Sequence, residues 1–470
     1  MRTVISLLFL FQCFTGLAQK EWAILDLTEL KNQAQEIYSY TNDDTGNFAT
    51  FVRSNKQIIG FYLNNQQELL DTIKVDVTYR ELDIFIGAAY QNDTFTLFFS
   101  NGSESKYSAL QIDFKLHNFK IMEDLGISNK NERVIAYTEA ESQVHMLTVT
   151  KNSSFVTLKS LASDGTFNTI SYDLSAEKFE TDNGLPLTFE SLLFAKKSEN
   201  PFQTINTDIP NSLEQTSAVT KIYQEKNLMR LTNNTYKKHT YILDFNYGTG
   251  TYNYNRVENP NFDKKHKKSN ANSFLIGNWF FDTYSTTDGI TLNVYDKDLP
   301  QLKKTFNVNP GDSIAFKNSP IIHDDGFSGH TRDFEKTARF VRRVNSSNIG
   351  VAVHPFGDQY ILTLGATQNK PNVQLMVMGA VLGGAVGAML FSAFDAYGRT
   401  ESTRIECLFD KDFNHVAGAV PPHAFDKINA FIKENKLDKM AVQTVFKHGD
   451  SYIWGYYHKA GNFYRFHQFD

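Results

Sequence analysis

The sequence predicts an all-β fold assembled from one repeated unit. Aromatic residues make up 14% of the 470 residues, with 39 Phe and 11 Pro, a composition typical of a β-rich globular protein and not of a disordered chain. In one stretch, residues 274–281 form an apolar run, and after a turn residues 290–295 alternate between apolar and polar side chains up to Asp296. Such alternation indicates a β-strand with two different faces.

The repeated unit runs from the start of one apolar strand to an Asp that ends another. It occurs at 48–76, 84–113, 133–173, 217–244, 273–296, 349–410 and 440–470. Asp suits these positions because its carboxylate can accept backbone N–H groups within a turn. Seven units, each burying its faces against its neighbours, predict a seven-bladed β-propeller. The short connection after Asp76 leaves six blades as an alternative, and a sandwich or two-domain fold is the other.

The two ends of the chain predict how the ring closes. Residues 22–27 have the pattern of a strand without a unit of its own, and residues 462–470 have that of an incomplete last unit. Pairing these two segments would remove an exposed strand edge. We therefore expect one β-propeller domain spanning residues 19–470.

Residues 1–18 have the pattern of a secretory signal peptide. A basic residue at Arg2 is followed by an apolar run and then by small residues near position 18, and the run is too short to span a membrane. We expect an exported protein, periplasmic or extracellular, with a possible attachment to the envelope. Removing Cys13 with the signal peptide leaves Cys407 alone, so no intramolecular disulfide is expected.

An uncharged glycine-rich segment interrupts the longest repeat. Residues 359–365 and 402–409 predict neighbouring strands of one sheet, and removing the segment 369–401 between them restores an ordinary repeat length. Residues 373–394 carry no charge. As a helix they would extend about 33 Å, comparable to a hydrocarbon core of about 30 Å.

Glycines in this segment recur every four residues and would share one helical face, which allows a second backbone to approach closely. The segment resembles the glycine-zipper stretches of bacterial envelope proteins. This resemblance is confined to the segment, and it implies contact with a membrane or with another protein. The residues expected to make this contact are Met376, Gly379, Gly383, Gly384, Gly387, Met389, Phe391 and Phe394.

Neighbouring flanking strands would make the chain leave and re-enter the fold on one side, which a single membrane crossing does not do. The segment is therefore expected to be a re-entrant hairpin turning near Gly383, an interfacial helix, or a helix packed on the propeller or on a second copy of the chain. A single transmembrane span is the alternative that would refute the propeller.

Other long connections are expected to gather on the same face as this segment. The stretches 180–215, 309–345 and 421–439 are assigned to positions after the fourth strands of their blades. The last stretch contains three apolar residues at the spacing of a short amphipathic helix, namely Phe425, Ile428 and Ile432. Long connections in compact domains often carry function, so this face is expected to be the binding face.

Motifs for catalysis and metal binding are absent from the sequence, which lacks a nucleophile elbow, a Walker loop, a dinucleotide fingerprint and a CxxC pair. A group of possible metal ligands has no fixed spacing and is assigned to a solvated loop: His323, Asp324, Asp325, His330 and Asp333. Structural positions in or beside strands are assigned to His145, His354, His448, His458 and Cys407. No cofactor or metal is expected.

Two functions are compatible with these patterns. The first is an exported, non-enzymatic binding or scaffold protein that contacts a membrane surface or an envelope partner, or forms a homodimer, through the glycine-rich segment. The alternative is a propeller hydrolase or lyase acting on carbohydrate or peptide, with carboxylates from different blades meeting near a central channel. The net charge of −5 argues against nucleic acid as a partner.

Overall fold

The computed structural model describes residues 20–42, 45–77, 82–194, 202–225, 227–266, 268–296, 301–325, 330–368 and 401–469. The fold is all-β and propeller-like, with many small antiparallel sheets, as the sequence predicts. Residues 1–18, which the sequence predicts to be a signal peptide, and residues 369–400 lie outside the described residues.

The first strand, β1 (Lys20–Asp26), belongs to the last sheet, and the next strands form three sheets in chain order. Sheet 1 contains β2 (Glu36–Thr41), β3 (Phe48–Arg53), β4 (Gln57–Leu63) and β5 (Leu69–Asp76). Sheet 2 contains β6 (Ile84–Gln91), β7 (Thr94–Ser100), β8 (Tyr107–Asp113) and β9 (Asn118–Met122). Sheet 3 contains β10 (Glu132–Ala140), β11 (Gln143–Thr150), β12 (Phe155–Leu161) and β13 (Phe167–Asp173).

A longer connection then leads to sheets 4 and 5. It holds a small hairpin of β14 (Phe179–Glu180) and β15 (Pro186–Leu187), helix α1 (Phe189–Phe194), strand β16 (Phe202–Ile205) and helix α2 (Leu213–Thr216). Sheet 4 adds β17 (Thr220–Gln224), β18 (Leu228–Asn233), β19 (His239–Asn246) and β20 (Tyr252–Glu258) to β16. Sheet 5 contains β21 (Asn270–Ile276), β22 (Trp279–Ser285), β23 (Ile290–Asp296) and β24 (Leu302–Val308).

Sheet 6 departs from simple chain order. Its strands are β25 (Ile321–Asp324), β26 (Thr331–Phe334), β27 (Asn348–Phe356), β28 (Gln359–Gln368) and β29 (Glu401–Asp410), and helix α3 (Thr337–Asn345) lies between β26 and β27. The spatial order is β26-β25-β29-β28-β27, so the upstream strand β25 takes the place beside β29 that a fourth strand would occupy. The stretch 421–439 therefore follows a third strand, and its assignment after a fourth strand is wrong.

Sheet 7 joins the two ends of the chain. It contains β30 (Ala441–His448), β31 (Ser451–His458) and β32 (Phe463–Phe469), and helix α4 (Ala424–Glu434) precedes it. β1 pairs antiparallel with β32, with Asp26 opposite Phe463, as the sequence predicts for the two terminal segments. The predicted amphipathic helix is confirmed as α4, whose residues Phe425, Ile428 and Ile432 are buried.

The Asp residues of the repeat mark strand ends, although not always the same strand. Asp113, Asp296 and Asp410 end third strands, whereas Asp76 and Asp173 end fourth strands. The expected turn chemistry is present, because the Asp173 carboxylate accepts the Ser175 N–H at 2.9 Å and the Asp113 carboxylate accepts the Leu116 N–H at 2.8 Å. The predicted start of the first unit at Phe48 is one strand late, since the unit begins at β2.

Each sheet buries apolar side chains against its neighbours. Within the described residues, five apolar clusters bridge sheets 1 and 2, sheets 2 and 3, sheets 3 and 4, sheets 4 to 6, and sheets 7 and 1. No cluster in this part of the chain bridges sheets 6 and 7. We call this boundary the polar seam, because Arg404 and Glu406 of sheet 6 face His423 at the start of α4 across it.

Candidate functional site

The glycine-rich segment begins after Gln368 and ends before Glu401, and we call this end of the strand pair the root of the segment. β28 and β29 pair along their full length from Gln359 opposite Asp410 to Gln368 opposite Glu401, so the predicted neighbouring strands are confirmed. Residues 369–400 thus connect two adjacent strand ends. The eight residues expected to contact a membrane or partner, from Met376 to Phe394, lie outside the described residues.

Side chains of the surrounding connections hold this root. The Gln368 amide donates to the Ser347 hydroxyl at 3.1 Å, and Glu401 lies 3.7 Å from the Arg343 guanidinium of α3. One residue further in, the Thr367 and Ser217 hydroxyls are 3.2 Å apart in a buried contact. Of these residues, Arg343 belongs to the stretch 309–345, which therefore reaches the end of sheet 6 from which the segment emerges. Ser217 and Ser347 lie just after the stretches 180–215 and 309–345. Within the described residues, no helix is both long enough and apolar enough to cross a membrane.

Residues 202–217 pass between the sheets. β16 pairs parallel with β17 of sheet 4, and Ile209 then joins the apolar cluster of sheets 7 and 1. The Tyr452 hydroxyl of sheet 7 donates to the Asp208 carbonyl at 3.1 Å. α2 contacts β27 and β28 of sheet 6. This segment therefore touches sheets on several sides and brings Asn211 to the polar seam.

A cavity of about 210 Å³ lies at the polar seam, between sheet 6 on one side and residues at and before the start of α4 on the other, with Pro210 and Asn211 beside them. Its apolar walls include three prolines, and its polar lining includes Asn211, His354, Arg404, Glu406, His423 and Asp426. The residues from sheet 6 share one face of that sheet because His354 is paired with Ile361 and Glu406 with Thr363, and all four line the cavity. The opposite face of the same strands carries the apolar residues that pack on sheet 5.

Two residues of the lining, Asn211 and His354, each have a buried side-chain atom without a hydrogen-bond partner among the described residues. The Asn211 amide nitrogen donates to the carbonyls of Asn206 at 2.8 Å and Ile209 at 3.0 Å, whereas its Oδ1 has no partner in this part of the chain. The same holds for Nδ1 of His354. Burial lowers the pKa of His354 to about 4, with smaller contributions from His423 and Lys447, so its imidazole is neutral near pH 7. His354 lies within β27, at the strand position expected from the sequence.

The first turn of α4 forms another wall. The backbone N–H of His423 donates to the Asp426 carboxylate at 3.0 Å, as in a helix capping box. Burial lowers the pKa of His423 to about 4 and raises the pKa of Asp426. The wall therefore presents a neutral imidazole beside a carboxyl group.

The rim facing this wall combines charges of both signs. The Arg404 guanidinium donates from Nε to Glu406 at 3.3 Å and from Nη1 to the Ser402 hydroxyl at 3.0 Å. Both side chains are 23% exposed, so they are held within sheet 6 and remain open to solvent. The cavity thus offers a cation, carboxylates and neutral imidazoles around one small volume.

A wider and shallower groove of about 1000 Å³ crosses turns of sheets 1 to 3. Two of the carboxylates that line it are already used within the fold. Asp93 accepts the Tyr62 hydroxyl at 2.6 Å, and Asp113 accepts the Leu116 N–H. The groove is therefore more open and less organised for chemistry than the cavity at the polar seam.

Most other candidate residues are structural. His145 is bonded through both ring nitrogens, to Ser160 at 2.8 Å and to the Ala140 carbonyl at 3.2 Å. His323 contacts the Thr403 hydroxyl at 2.9 Å and stacks on Phe334. Burial raises the pKa of the Cys407 thiol, which leaves it unreactive. Among the described residues there is no cluster of His, Cys, Asp and Glu side chains suited to a metal.

Sequence reasoning did not find the cavity. Asn211, His354 and His423 come from three distant parts of the chain, and β27, α4 and the 202–217 segment bring them together. The alternation along β29 shows that Arg404 and Glu406 share a face. It does not show which sheet that face meets.

Comparisons with known proteins assign no family. No protein-family model and no curated protein matches the chain. Among solved structures, a mutant of the Synechocystis apocarotenoid oxygenase aligns at 8% identity and a TM-score of 0.30, covering 60% of this chain and 64% of that one. The cobalt-substituted form of that protein aligns at 8% identity and 0.29, covering 58% and 61%. The chain thus spans less than two thirds of these structures, and TM-scores this low assign neither fold nor activity.

Proposed function

We propose that the protein is an exported binding scaffold that uses the glycine-rich segment to contact a membrane surface or an envelope partner. The observation that carries this proposal is the pairing of Gln368 with Glu401. Because the segment begins and ends at adjacent positions of one sheet, it is an appendage of sheet 6 and not a link between separate domains. Such appendages on a rigid scaffold commonly serve binding.

The scaffold itself is inferred to be a closed propeller of seven blades. Seven sheets of four or five strands follow one another along the described chain, and apolar clusters bridge most successive sheets. The pairing of β1 with β32 supports closure of the ring. A closed ring would hold the root of the segment rigidly while leaving the segment itself available to a partner.

Deleting residues 369–400 tests the proposed function. In the deletion variant, an added Asn-Gly dipeptide connects Gln368 to Glu401, because this dipeptide favours the two-residue turn of a β-hairpin. We expect the shortened protein to keep its cooperative thermal unfolding, because the strand pairing remains intact. We also expect it to lose association with the membrane fraction of cells and with lipid vesicles, measured by sedimentation.

A length-matched variant is the control for chain shortening. In this variant the uncharged stretch 373–394 is replaced by a Gly/Ser sequence of equal length, which removes apolarity without changing connectivity. It should behave like the deletion. If both variants still fractionate with membranes as the full chain does, the proposal is wrong. Light scattering of all three proteins shows whether a second copy of the chain is the partner.

A further inference from the structure

We propose that the cavity at the polar seam is a binding site for a small zwitterion, namely a free amino acid or a molecule with the same adjacent ammonium and carboxylate groups. The proposal concerns sheet 6, the 202–217 segment and the start of α4, and it does not depend on the function of the glycine-rich segment.

The position of the cavity separates it from an accidental packing gap. Every other boundary between successive sheets is bridged by an apolar cluster of described residues, and the cavity lies where this bridge is missing. Asn211 and His354 belong to the lining, and each keeps a buried polar atom without a partner among the described residues. Such atoms lower the stability of the fold, which an apolar interface at this boundary would not do.

The polar lining matches an ammonium group. Glu406 and Asp426 are carboxyl groups that line the cavity, and the imidazoles of His354 and His423 are neutral near pH 7. The two carboxyl groups outnumber the permanent cation of the lining, Arg404. A ligand ammonium group, with three N–H donors, could donate to both carboxyl groups.

Arg404 supplies the complementary half of the site. A guanidinium has five N–H donors, and the described contacts of Arg404 to Glu406 and Ser402 leave donors for a ligand carboxylate. Arg404 and Glu406 lie two positions apart on β29 and therefore on the same face of the sheet. Arg404 can therefore pair with a ligand carboxylate while Glu406 pairs with a ligand ammonium group beside it.

The walls and the volume limit the rest of the ligand. Pro210, Pro421 and Pro422 add rigid apolar surface beside the charged rim. A cavity of about 210 Å³ accepts one small molecule and excludes a folded polypeptide. We therefore expect an amino acid with a small or medium apolar side chain to bind most tightly.

Titration calorimetry on the mature chain with the free amino acids tests this site. We expect at least one to bind with a Kd below about 1 mM. Its amine analogue without the carboxylate and its acid analogue without the amino group should each bind about tenfold or more weakly, since each leaves charged groups of the site unpaired. Equal binding of either analogue, or no binding of any amino acid, would overturn the proposal; the latter result would mean a cavity that holds water only.

Substitutions locate the binding event. R404Q and E406Q should each weaken binding about tenfold or more. The control is R465Q, which removes an arginine that pairs with Glu21 at 3.2 Å outside the cavity and should leave binding unchanged. Unchanged binding by R404Q would place the ligand elsewhere. If R404Q does not fold cooperatively, the comparison of ligand analogues on the unmodified protein still decides the matter.

Discussion

At the scale of single residues, Asp282 is a buried carboxyl group whose hydrogen bonding in the core is incomplete. Its side chain is 2% exposed in β22, and Thr240 donates to Oδ1 at 3.4 Å, while Oδ2 has no hydrogen-bond partner among the described residues. Burial raises the pKa of this carboxyl from 3.8 to about 7. The folded protein therefore keeps Asp282 protonated over a pH range in which the unfolded chain ionises it.

This difference predicts a pH-dependent stability that D282N removes. Between pH 4 and pH 7 the native state binds more protons at this residue, so its contribution to stability is lost as the pH rises. We expect D282N to match the parent near pH 4 and to be more stable at pH 8, by up to about 4 kcal/mol. Urea unfolding at both pH values measures this, with exposed Asp288→Asn as the control. If the free energies of unfolding of D282N and the parent differed by the same amount at both pH values, ionisation of Asp282 would not be the cause.

At the scale of secondary-structure elements, helix α4 contacts both the cavity at the polar seam and the core of sheet 7. Its first turn lines the cavity, while Phe425 packs on Tyr452 and Phe431 on Trp454, with ring centroids 5.7 and 6.1 Å apart. Ile428 is fully buried on the same face as Phe425. One helix thus serves both as a wall of the cavity and as packing for sheet 7.

Truncating Ile428 tests this packing role. We expect Ile428→Ala to lower the free energy of unfolding by about 2–5 kcal/mol, because it leaves a cavity in a cluster that cannot easily collapse. Lys433→Ala, on the exposed face of the same helix, should change stability by less than about 0.5 kcal/mol. Chemical unfolding of the two variants compares them, and similar losses would indicate that α4 does not pack as the structure describes.

The elements that sequence reasoning predicted are those with strong local patterns. The apolar spacing of Phe425, Ile428 and Ile432 predicted α4, and the alternation on either side of the glycine-rich segment predicted the pairing of β28 with β29. β25 has four residues, too few for a periodic pattern, and its pairing with β29 is a long-range event. β2 precedes the first predicted unit, so the Asp marker was matched to the wrong strand there. The cavity depends on such long-range placements and left no local signal.

At the scale of the whole molecule, the chain combines apolar boundaries with one polar boundary. Residues 202–217 add contacts to sheets 4, 6 and 7, so the chain itself fills space between the sheets. The same segment supplies Pro210 and Asn211 to the cavity at the polar seam, where sheet 6 and the start of α4 provide the rest of the lining.

The pairing of β1 with β32 predicts that a residue of the first strand contributes strongly to the stability of the whole fold. Trp22 of β1 is 6% exposed and lies 4.5 Å from Phe48 of sheet 1 and 5.9 Å from Phe466 of sheet 7, measured between ring centroids. We therefore expect Trp22→Ala to lower the free energy of unfolding by about 3–5 kcal/mol. Ile24→Ala, in the same strand but 46% exposed, should cost far less. Thermal unfolding of both variants compares them; an equally small effect would mean that the pairing of β1 with β32 contributes little to the stability of the molecule.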